Sequence, residues 1–153
     1  MLNVVCNMQI KYKILSLRES GFKFDYEYKL KDKTSVSFNF YHREKADFEV
    51  KNIIVEVGAR IVAHDNVLLA ENSVRAVFTL EPFDDVVKQK DEDAFQTSAP
   101  ALIDTFISVT LGALRGIFAK NLIGTDLDGC VLPMIPMSVI SDSPKERNKS
   151  NVD

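Results

Sequence analysis

The chain has 153 residues and a mass of 17.2 kDa, which is the size of a single domain. Hydrophobic residues make up 46% of the chain and charged residues 27%, as in a globular protein and unlike a disordered one. The net charge of −3 argues against nucleic acid as a partner, and no apolar run reaches the roughly 18–20 residues of an integral membrane segment.

Four segments in the first half of the chain alternate apolar and polar residues, which is typical of β-strands. They span residues 8–28, 34–41, 48–63 and 67–81. A bulge is expected in the first strand near Gly21, and the turn His64-Asp65-Asn66 joins the last two strands as a hairpin. Because no helix separates the strands, we predict an antiparallel sheet with one buried face.

The alternation ends at Pro82. Residues 81–93 contain six acidic residues and two lysines, which predicts a solvated linker. After this linker, Ser98 is placed to cap a helix and Pro100 to occupy its first turn. We predict that the helix spans residues 99–120 and packs on the sheet. The fold class is therefore α+β, a four-stranded antiparallel sheet with one long apolar helix.

The predicted helix carries nine large apolar side chains and only three charged residues, Asp104, Arg115 and Lys120. A helix that is apolar on nearly all sides is a buried helix, and one sheet covers only about half of it. At roughly 1.5–3 kcal/mol for each large side chain, leaving half of them in water costs on the order of 10 kcal/mol. We therefore expect a homo-oligomer with the helices buried between sheets. The interface residues expected on the helix are Leu102, Ile103, Phe106, Ile107, Val109, Leu114, Ile117 and Phe118.

Residues 121–129 are rich in turn formers, and residues 131–140 form an apolar segment with prolines at positions 133 and 136. Two prolines three residues apart exclude a helix and a central strand, so we expect an extended segment. It either covers the edge of the core or forms one wall of a binding groove, for which its methionines are suited. We expect residues 1–140 to form one domain and residues 141–153 to be a polar, disordered tail.

Motifs of catalysis and of cofactor or metal binding are absent from the sequence, so we expect no enzyme activity and no cofactor. The two cysteines, Cys6 and Cys130, do not make a disulfide framework, and the N-terminus lacks the features of a signal peptide. Both observations favour the cytoplasm. We interpret His64 as a turn residue, and the loop between Gly124 and Gly129 as a turn rather than a calcium site.

The order of the elements, together with several local sequences, resembles the SecB-type protein-export chaperones. The similar stretches are Ala76-Val77-Phe78-Thr79-Leu80 at the end of the fourth strand, Ala99-Pro100-Ala101-Leu102-Ile103 and Arg115-Gly116-Ile117-Phe118 at the two ends of the helix, Gly21-Phe22-Lys23-Phe24-Asp25 in the first strand, and the proline-containing crossover of residues 131–140. The resemblance covers about residues 10–140.

The resemblance implies an ATP-independent holdase that binds unfolded polypeptide clients in an apolar groove. It also implies that the homo-oligomer is a dimer or a dimer of dimers, a tetramer, with SecA as a candidate partner. The client-binding residues implied by position are Phe38, Phe40, Val131, Leu132, Met134, Ile135 and Met137. The implied surface for a SecA-like partner comprises Asp25, Leu69 and Glu71, which alternate as expected for one outer face of the sheet.

The sequence departs from the family pattern after residue 140: residues 141–153 are polar with a proline, so we expect neither the second helix nor the acidic tail of the classical members in them. Three alternatives stay open. The first is a SecB-like chaperone dedicated to an antitoxin or another single partner. The second is a small-molecule-binding α+β oligomer or hot-dog-like enzyme, with Asp104 as the candidate acid or base. The third is a purely structural oligomer in which residues 131–140 only cover the core.

Overall fold

The computed structural model describes residues 9–32, 35–136 and 138–139. Four long strands come first: β1 (Lys11–Phe24), β2 (Val36–Asp47), β3 (Asn52–Ala63) and β4 (Leu68–Glu81). The elements that follow are a short helix α1 (Phe83–Val86), the strands β5 (Val87–Gln89) and β6 (Phe95–Thr97), and the long helix α2 (Pro100–Asn121). The predicted α+β architecture of four strands and one long helix is confirmed.

The four long strands form one antiparallel sheet in the order β1-β4-β3-β2, so β1 and β2 are its edges. Along β3 every second side chain points to the same face, as expected for a pleated strand with one buried side. These side chains are at most 1% exposed and are Ile53, Val55, Val57, Ala59, Ile61 and Ala63. We call this side of the sheet the helix face and the opposite side the outer face.

Helix α2 packs across β3 and β4 on the helix face. The rings of Phe78 on β4 and Phe106 on α2 stack with their centroids 4.1 Å apart. Of the nine large apolar side chains of this helix, six are buried, Leu102 and Ile117 are half-buried, and only Val109 is exposed. One chain thus covers more of the helix than the sequence predicts, because side chains from outside the sheet join the same core. These are Phe83, Val86, Val87, Leu122, Leu127 and Leu132.

Helix α2 also has the length and composition of a membrane span, contrary to the expectation from the sequence. The core helices of soluble proteins meet the same criterion. In this fold the helix packs six of its large side chains into the core.

The start of α2 differs from the prediction at Ser98. The N-cap residue is Ala99, which makes no side-chain cap, and Pro100 is the first helical residue. The backbone N–H of Ala99 donates instead to Thr97 Oγ1 at 3.0 Å. Ser98 lies one residue too early to cap the helix, and its backbone N–H donates to the carbonyl of Val86 at 3.0 Å.

The acidic stretch before α2 is ordered, so its interpretation as a plain linker is wrong. It contains helix α1 and strand β5, and β5 pairs antiparallel with β6, which follows the stretch. Phe83 and Val86 are 4% and 1% exposed, whereas the neighbouring Asp84 and Asp85 are exposed. A few apolar residues spaced among the acids anchor the segment to the core, and such sparse anchors leave little signal in its composition.

Strand β1 is irregular at Leu15 and Ser20, where its register with β4 shifts. The second irregularity confirms the bulge expected near Gly21. A third shift, between β3 and β4, leaves Leu69 without a register partner. Each shift adds one residue to one strand, so the alternation of the sequence changes faces at these points.

Both predicted turns are confirmed. Between β3 and β4, Asn66 has a positive φ of 64°, and the backbone N–H of Ala63 donates to the carbonyl of Val67 at 2.9 Å. After α2, Asp128 Oδ2 accepts a hydrogen bond from the backbone N–H of Gly124 at 3.0 Å, which closes a turn. Within the described ranges, no three side chains of the metal-ligating types cluster.

Candidate functional site

The crossover segment, residues 130–136, lies against α2 without regular secondary structure. Arg115 of α2 fixes it: Nε donates to the carbonyl of Leu132 at 3.0 Å, and Nη2 donates to the next carbonyl at 3.2 Å. Leu132 is 3% exposed and anchors the segment in the core, whereas Val131 and Met134 are 55% and 90% exposed. The segment is therefore held at one point and presents apolar side chains to solvent on both sides of it.

Two of the predicted client-binding residues, Phe38 and Phe40, lie on the helix face of the edge strand β2. Both are half-buried and pack against the core that also receives Leu132 and Ile135. The structure thus brings these four residues to one core. Met137 lies outside the described residues, and the role of the whole set in binding stays a prediction.

The sequence reasoning missed a buried ionisable pair on the same face of β2. His42 Nδ1 lies 2.9 Å from Glu44 Oε1, and the two side chains are 3% and 4% exposed. Among the described residues, the buried Oε2 of Glu44 has no hydrogen-bond partner. A buried oxygen without a hydrogen-bond partner lowers the stability of the fold by about 1–3 kcal/mol. The signal for this pair is the alternation of β2, which continues past Tyr41, where the predicted strand ends.

A second apolar surface lies along β1, because α2 covers β3 and β4 and leaves this edge strand largely open. Tyr12, Ile14 and Leu17 face the helix side and are 56%, 45% and 42% exposed. The ring of Tyr12 meets Phe106 edge-on with the centroids 5.9 Å apart, and Val109, three residues further along α2, is 48% exposed. We call Tyr12, Ile14, Leu17 and Val109 the strand-edge surface.

Most residues predicted at an oligomer interface face the sheet of their own chain. Five of the eight are buried there: Ile103, Phe106, Ile107, Leu114 and Phe118. The solvent side of α2 carries small residues instead, and a methyl group added at Gly112 or Gly116 would meet no atom within 4 Å. Of the predicted interface residues, Val109 is the exposed one, and Leu102 and Ile117 are half-buried. The interface itself stays a prediction.

The three residues of the implied SecA-like surface do not share one face. Leu69 is 3% exposed and belongs to the core, because it is the extra residue at the register shift in β4. The carboxylate of Glu71 on the outer face is paired with Arg60 Nε. Asp25 Oδ1 accepts two backbone N–H groups of the following turn at 3.0 and 3.1 Å. The expectation of a shared outer face is therefore wrong for Leu69.

An open pocket near the β3–β4 turn has no part in these surfaces. The residues that line it are Tyr28, Lys29, Leu30, Lys31, Asp32, Ser35 and His64. The Tyr28 hydroxyl donates to Asp65 Oδ2 at 3.3 Å; partial burial, and then the Asp65 charge, raise the pKa of that hydroxyl. Asp104, the candidate acid of the catalytic alternative, lies elsewhere, half-buried in the first turns of α2.

Comparison with known proteins identifies a similar fold but no sequence family. No protein-family model and no curated protein sequence matches the chain. Among solved structures, the chain is similar to the SecB-like chaperone Rv1957 of Mycobacterium tuberculosis, in complex with a ChAD peptide from the Rv1956 HigA1 antitoxin. The TM-score is 0.56 at 14% identity, over 81% of this chain and 90% of that chain. The chain therefore shares the α+β fold of a SecB-like chaperone.

Proposed function

We propose that this protein is an ATP-independent holdase that binds apolar segments of non-native polypeptides. The observation that carries the proposal is the crossover segment, where a tethered backbone without regular secondary structure holds Val131 and Met134 mostly in solvent. Exposed apolar surface of this kind is typical of protein interaction sites, and an unbranched thioether adapts to different partners. A chaperone role is also supported by the structural neighbour, which binds a peptide.

The mechanism needs only burial of apolar surface. A client segment that covers Val131 and Met134 removes apolar area from water, at about 25 cal/mol per Å². Arg115 and the buried Leu132 keep the segment in place, so little conformational entropy is lost on binding. A bound client is withdrawn from aggregation by mass action, without any chemical step.

A narrower form of the proposal is a chaperone dedicated to one partner, such as an antitoxin. The observation that favours it is the antitoxin peptide bound by the structural neighbour. An adjacent toxin–antitoxin gene pair would support this form. Delivery of exported proteins to SecA has less support, since Leu69 is buried and Glu71 is engaged by Arg60.

We further propose that the holdase is a cytoplasmic homo-oligomer. The edge strand β1 exposes three apolar side chains on its helix face, and soluble proteins usually cover such an edge. A second copy seated on the strand-edge surface and on the small-residue side of α2 would cover both at once. This assembly keeps the crossover segment free for clients.

The test is suppression of aggregation without ATP. A chemically denatured client is diluted into buffer with an equimolar amount of the protein, and light scattering is followed. We expect the wild-type protein to suppress most of the scattering. Val131→Asp/Met134→Asp places two charges on exposed positions and should abolish most of the suppression. The matched control Gln89→Asp/Gln96→Asp adds the same charge on the exposed β5–β6 pair and should retain it.

Two results would contradict the proposal. The first is a wild-type protein that does not suppress aggregation at several-fold excess over the client. The second is equal suppression by the wild-type protein and by Val131→Asp/Met134→Asp. If the aspartate variant instead loses its assembly, the crossover segment is a structural cover, as in the third alternative.

A further inference from the structure

We propose that the outer face of the sheet binds an acidic segment of a partner polypeptide through a row of arginines. The row crosses all four strands. Arg18 on β1 lies opposite Arg75 on β4. On the other side of Arg75 the row continues with Glu56 on β3 and then Arg43 on β2. We call these four residues the arginine row. With neighbouring strands about 4.8 Å apart, the row is about 14 Å wide. The proposal is independent of client holding, which uses the helix-face side of the molecule.

Only one of the three guanidinium groups of the row is neutralised by the sheet itself. Arg43 Nη2 donates to Glu56 Oε1 at 3.3 Å. Arg18 and Arg75 are both exposed, and neither forms an ion pair with any residue that the structure describes. The other carboxylate in the middle of this face, Glu71, is already paired with Arg60. The row therefore carries a local excess of positive charge on a chain whose net charge is −3.

Arg75 has Glu56 opposite it on β3, but the placement of Arg18 on its other side has no evident structural benefit. Like charges directly opposite each other on neighbouring strands are destabilising. Cations on an edge strand discourage pairing with other chains, which accounts for Lys11 and Lys13 on β1. Arg75 lies on the inner strand β4, so this explanation does not extend to it. An external anion that relieves the repulsion does account for the pair.

Arginine binds carboxylates better than lysine does, because its guanidinium group is planar and donates two parallel N–H bonds to one carboxylate. A carboxylate seated between Arg18 and Arg75 would receive donors from both strands. Lys13, Lys23 and Lys45 lie on the same face and extend the positive surface beyond the row. A segment with several acidic residues therefore finds several partners.

The charges around the row favour a short acidic segment over nucleic acid. The exposed carboxylates Glu81, Asp84 and Asp85 lie at and just beyond the end of β4. A long polyanion that follows this strand from the arginine row would meet them and be repelled. A width of about 14 Å corresponds to about four extended residues, so a short peptide segment stays within the positive region.

The test is a fluorescence-anisotropy titration with a labelled peptide of four Glu-Ser repeats at low salt. We expect saturable binding that weakens at high salt and is absent for four Gln-Ser repeats. Arg18→Gln/Arg75→Gln should weaken binding about tenfold or more, which is about 1.4 kcal/mol. The matched control Lys88→Gln/Lys90→Gln makes the same change in net charge at exposed connector positions and should change the affinity less than about twofold.

The stability of the double variant provides a second readout. If Arg18 and Arg75 stabilised the fold, their replacement would lower the urea midpoint. Because the substitution relieves a like-charge contact, the urea midpoint of Arg18→Gln/Arg75→Gln should stay the same or rise. Its suppression of client aggregation should be unchanged, which separates this proposal from the holdase.

Three results would overturn the proposal. One is a lower urea midpoint of the double variant, and another is tighter binding of a DNA duplex than of the Glu-Ser peptide. The third is a loss of assembly in light scattering of the double variant, which would show that the row faces a second copy of the chain.

Discussion

At the scale of single residues, Gly58 shows how closely the outer face is packed. Tyr41 on β2 is its register partner on the neighbouring strand, and the Tyr41 ring lies across it. A Cβ at position 58 would lie 2.1 Å from Tyr41 Cζ. The Arg60 guanidinium carbon lies 4.7 Å from the centroid of the same ring, as in a cation–π contact. The missing side chain of Gly58 therefore allows the ring to cover the strand.

We expect Gly58→Ala to lower the free energy of unfolding by about 1 kcal/mol, because Tyr41 must leave its place over the strand. In a Tyr41→Ala background the same change should be neutral or stabilising, since alanine loses less conformational entropy than glycine. Urea unfolding of the four proteins measures this difference. Gly112→Ala is the control: the site is open and helical, so a gain of about 0.5–1 kcal/mol is expected. An equal cost of Gly58→Ala in both backgrounds would show that the ring is not responsible.

At the scale of elements, a polar network joins the end of α2 to two strands. Asn72 on β4 is fully buried on the helix face, and its Nδ2 donates to the Gly21 carbonyl at 2.7 Å and to Glu19 Oε2 at 3.1 Å. Its Oδ1 accepts from Asn121 Nδ2 at 3.0 Å. Because buried amides need partners in a defined geometry, this network fixes the position of the helix end along the sheet.

We expect Asn72→Ala to cost about 1–3 kcal/mol of stability, because it removes the partners of the Gly21 carbonyl and of Asn121. Urea unfolding measures the cost. Native-state hydrogen exchange should show faster exchange in the last turn of α2 before the rest of the helix changes. Asn39→Ala, on the exposed outer face of β2, is the control and should stay within about 0.5 kcal/mol. Similar costs for the two variants would rule out a specific role of the network.

The elements that the sequence predicts well are those in which one periodicity runs without interruption. Strand β3 keeps one parity from Ile53 to Ala63, and all its inward residues are buried. Leu69 was misplaced because the bulge in β4 depends on the pairing of β4 with β3, and no glycine marks it as Gly21 marks the bulge in β1. The connector was misread because Phe83 and Val86 are outnumbered by acids. Long elements are thus predictable, whereas register and short anchors are not.

The candidate site was predictable in part for the same reason. The two prolines correctly predict that residues 131–136 form neither helix nor strand, but the sequence does not show that Leu132 is buried and Met134 exposed. The hydrogen bonds of Arg115 join α2 to the crossover segment, whose Leu132 follows Arg115 by 17 residues. The His42–Glu44 pair could be predicted only if β2 were known to continue past Tyr41. Each of these contacts depends on tertiary structure rather than on local sequence.

At the scale of the whole molecule, the strand-edge surface predicts self-association. We expect light scattering at micromolar concentration to give a molar mass of at least two 17.2 kDa chains. Tyr12→Lys/Leu17→Lys should reduce it to one chain, because the new charges would have to be buried in the interface. Gln9→Lys/Gln96→Lys adds the same charge at other exposed positions and should leave the mass unchanged. A well-folded wild-type monomer would contradict the proposed oligomer.

The molecule also separates its two kinds of surface. The exposed side chains of Tyr12, Ile14 and Leu17 on β1 lie on the helix face, whereas the arginine row lies on the outer face of the same sheet. A client held by the crossover segment would therefore not compete for space with an acidic partner. The two proposed functions are physically compatible and can be tested in one binding mixture.

The exposure of Met134 has a consequence for oxidative stress. A thioether that is 90% exposed is open to peroxide in the native state, without any unfolding. Oxidation converts this flexible apolar side chain into a polar sulfoxide, which binds apolar polypeptide segments more weakly. If the proposed holdase binds clients through Met134, oxidative stress would thus weaken client binding, and methionine sulfoxide reductases would restore it.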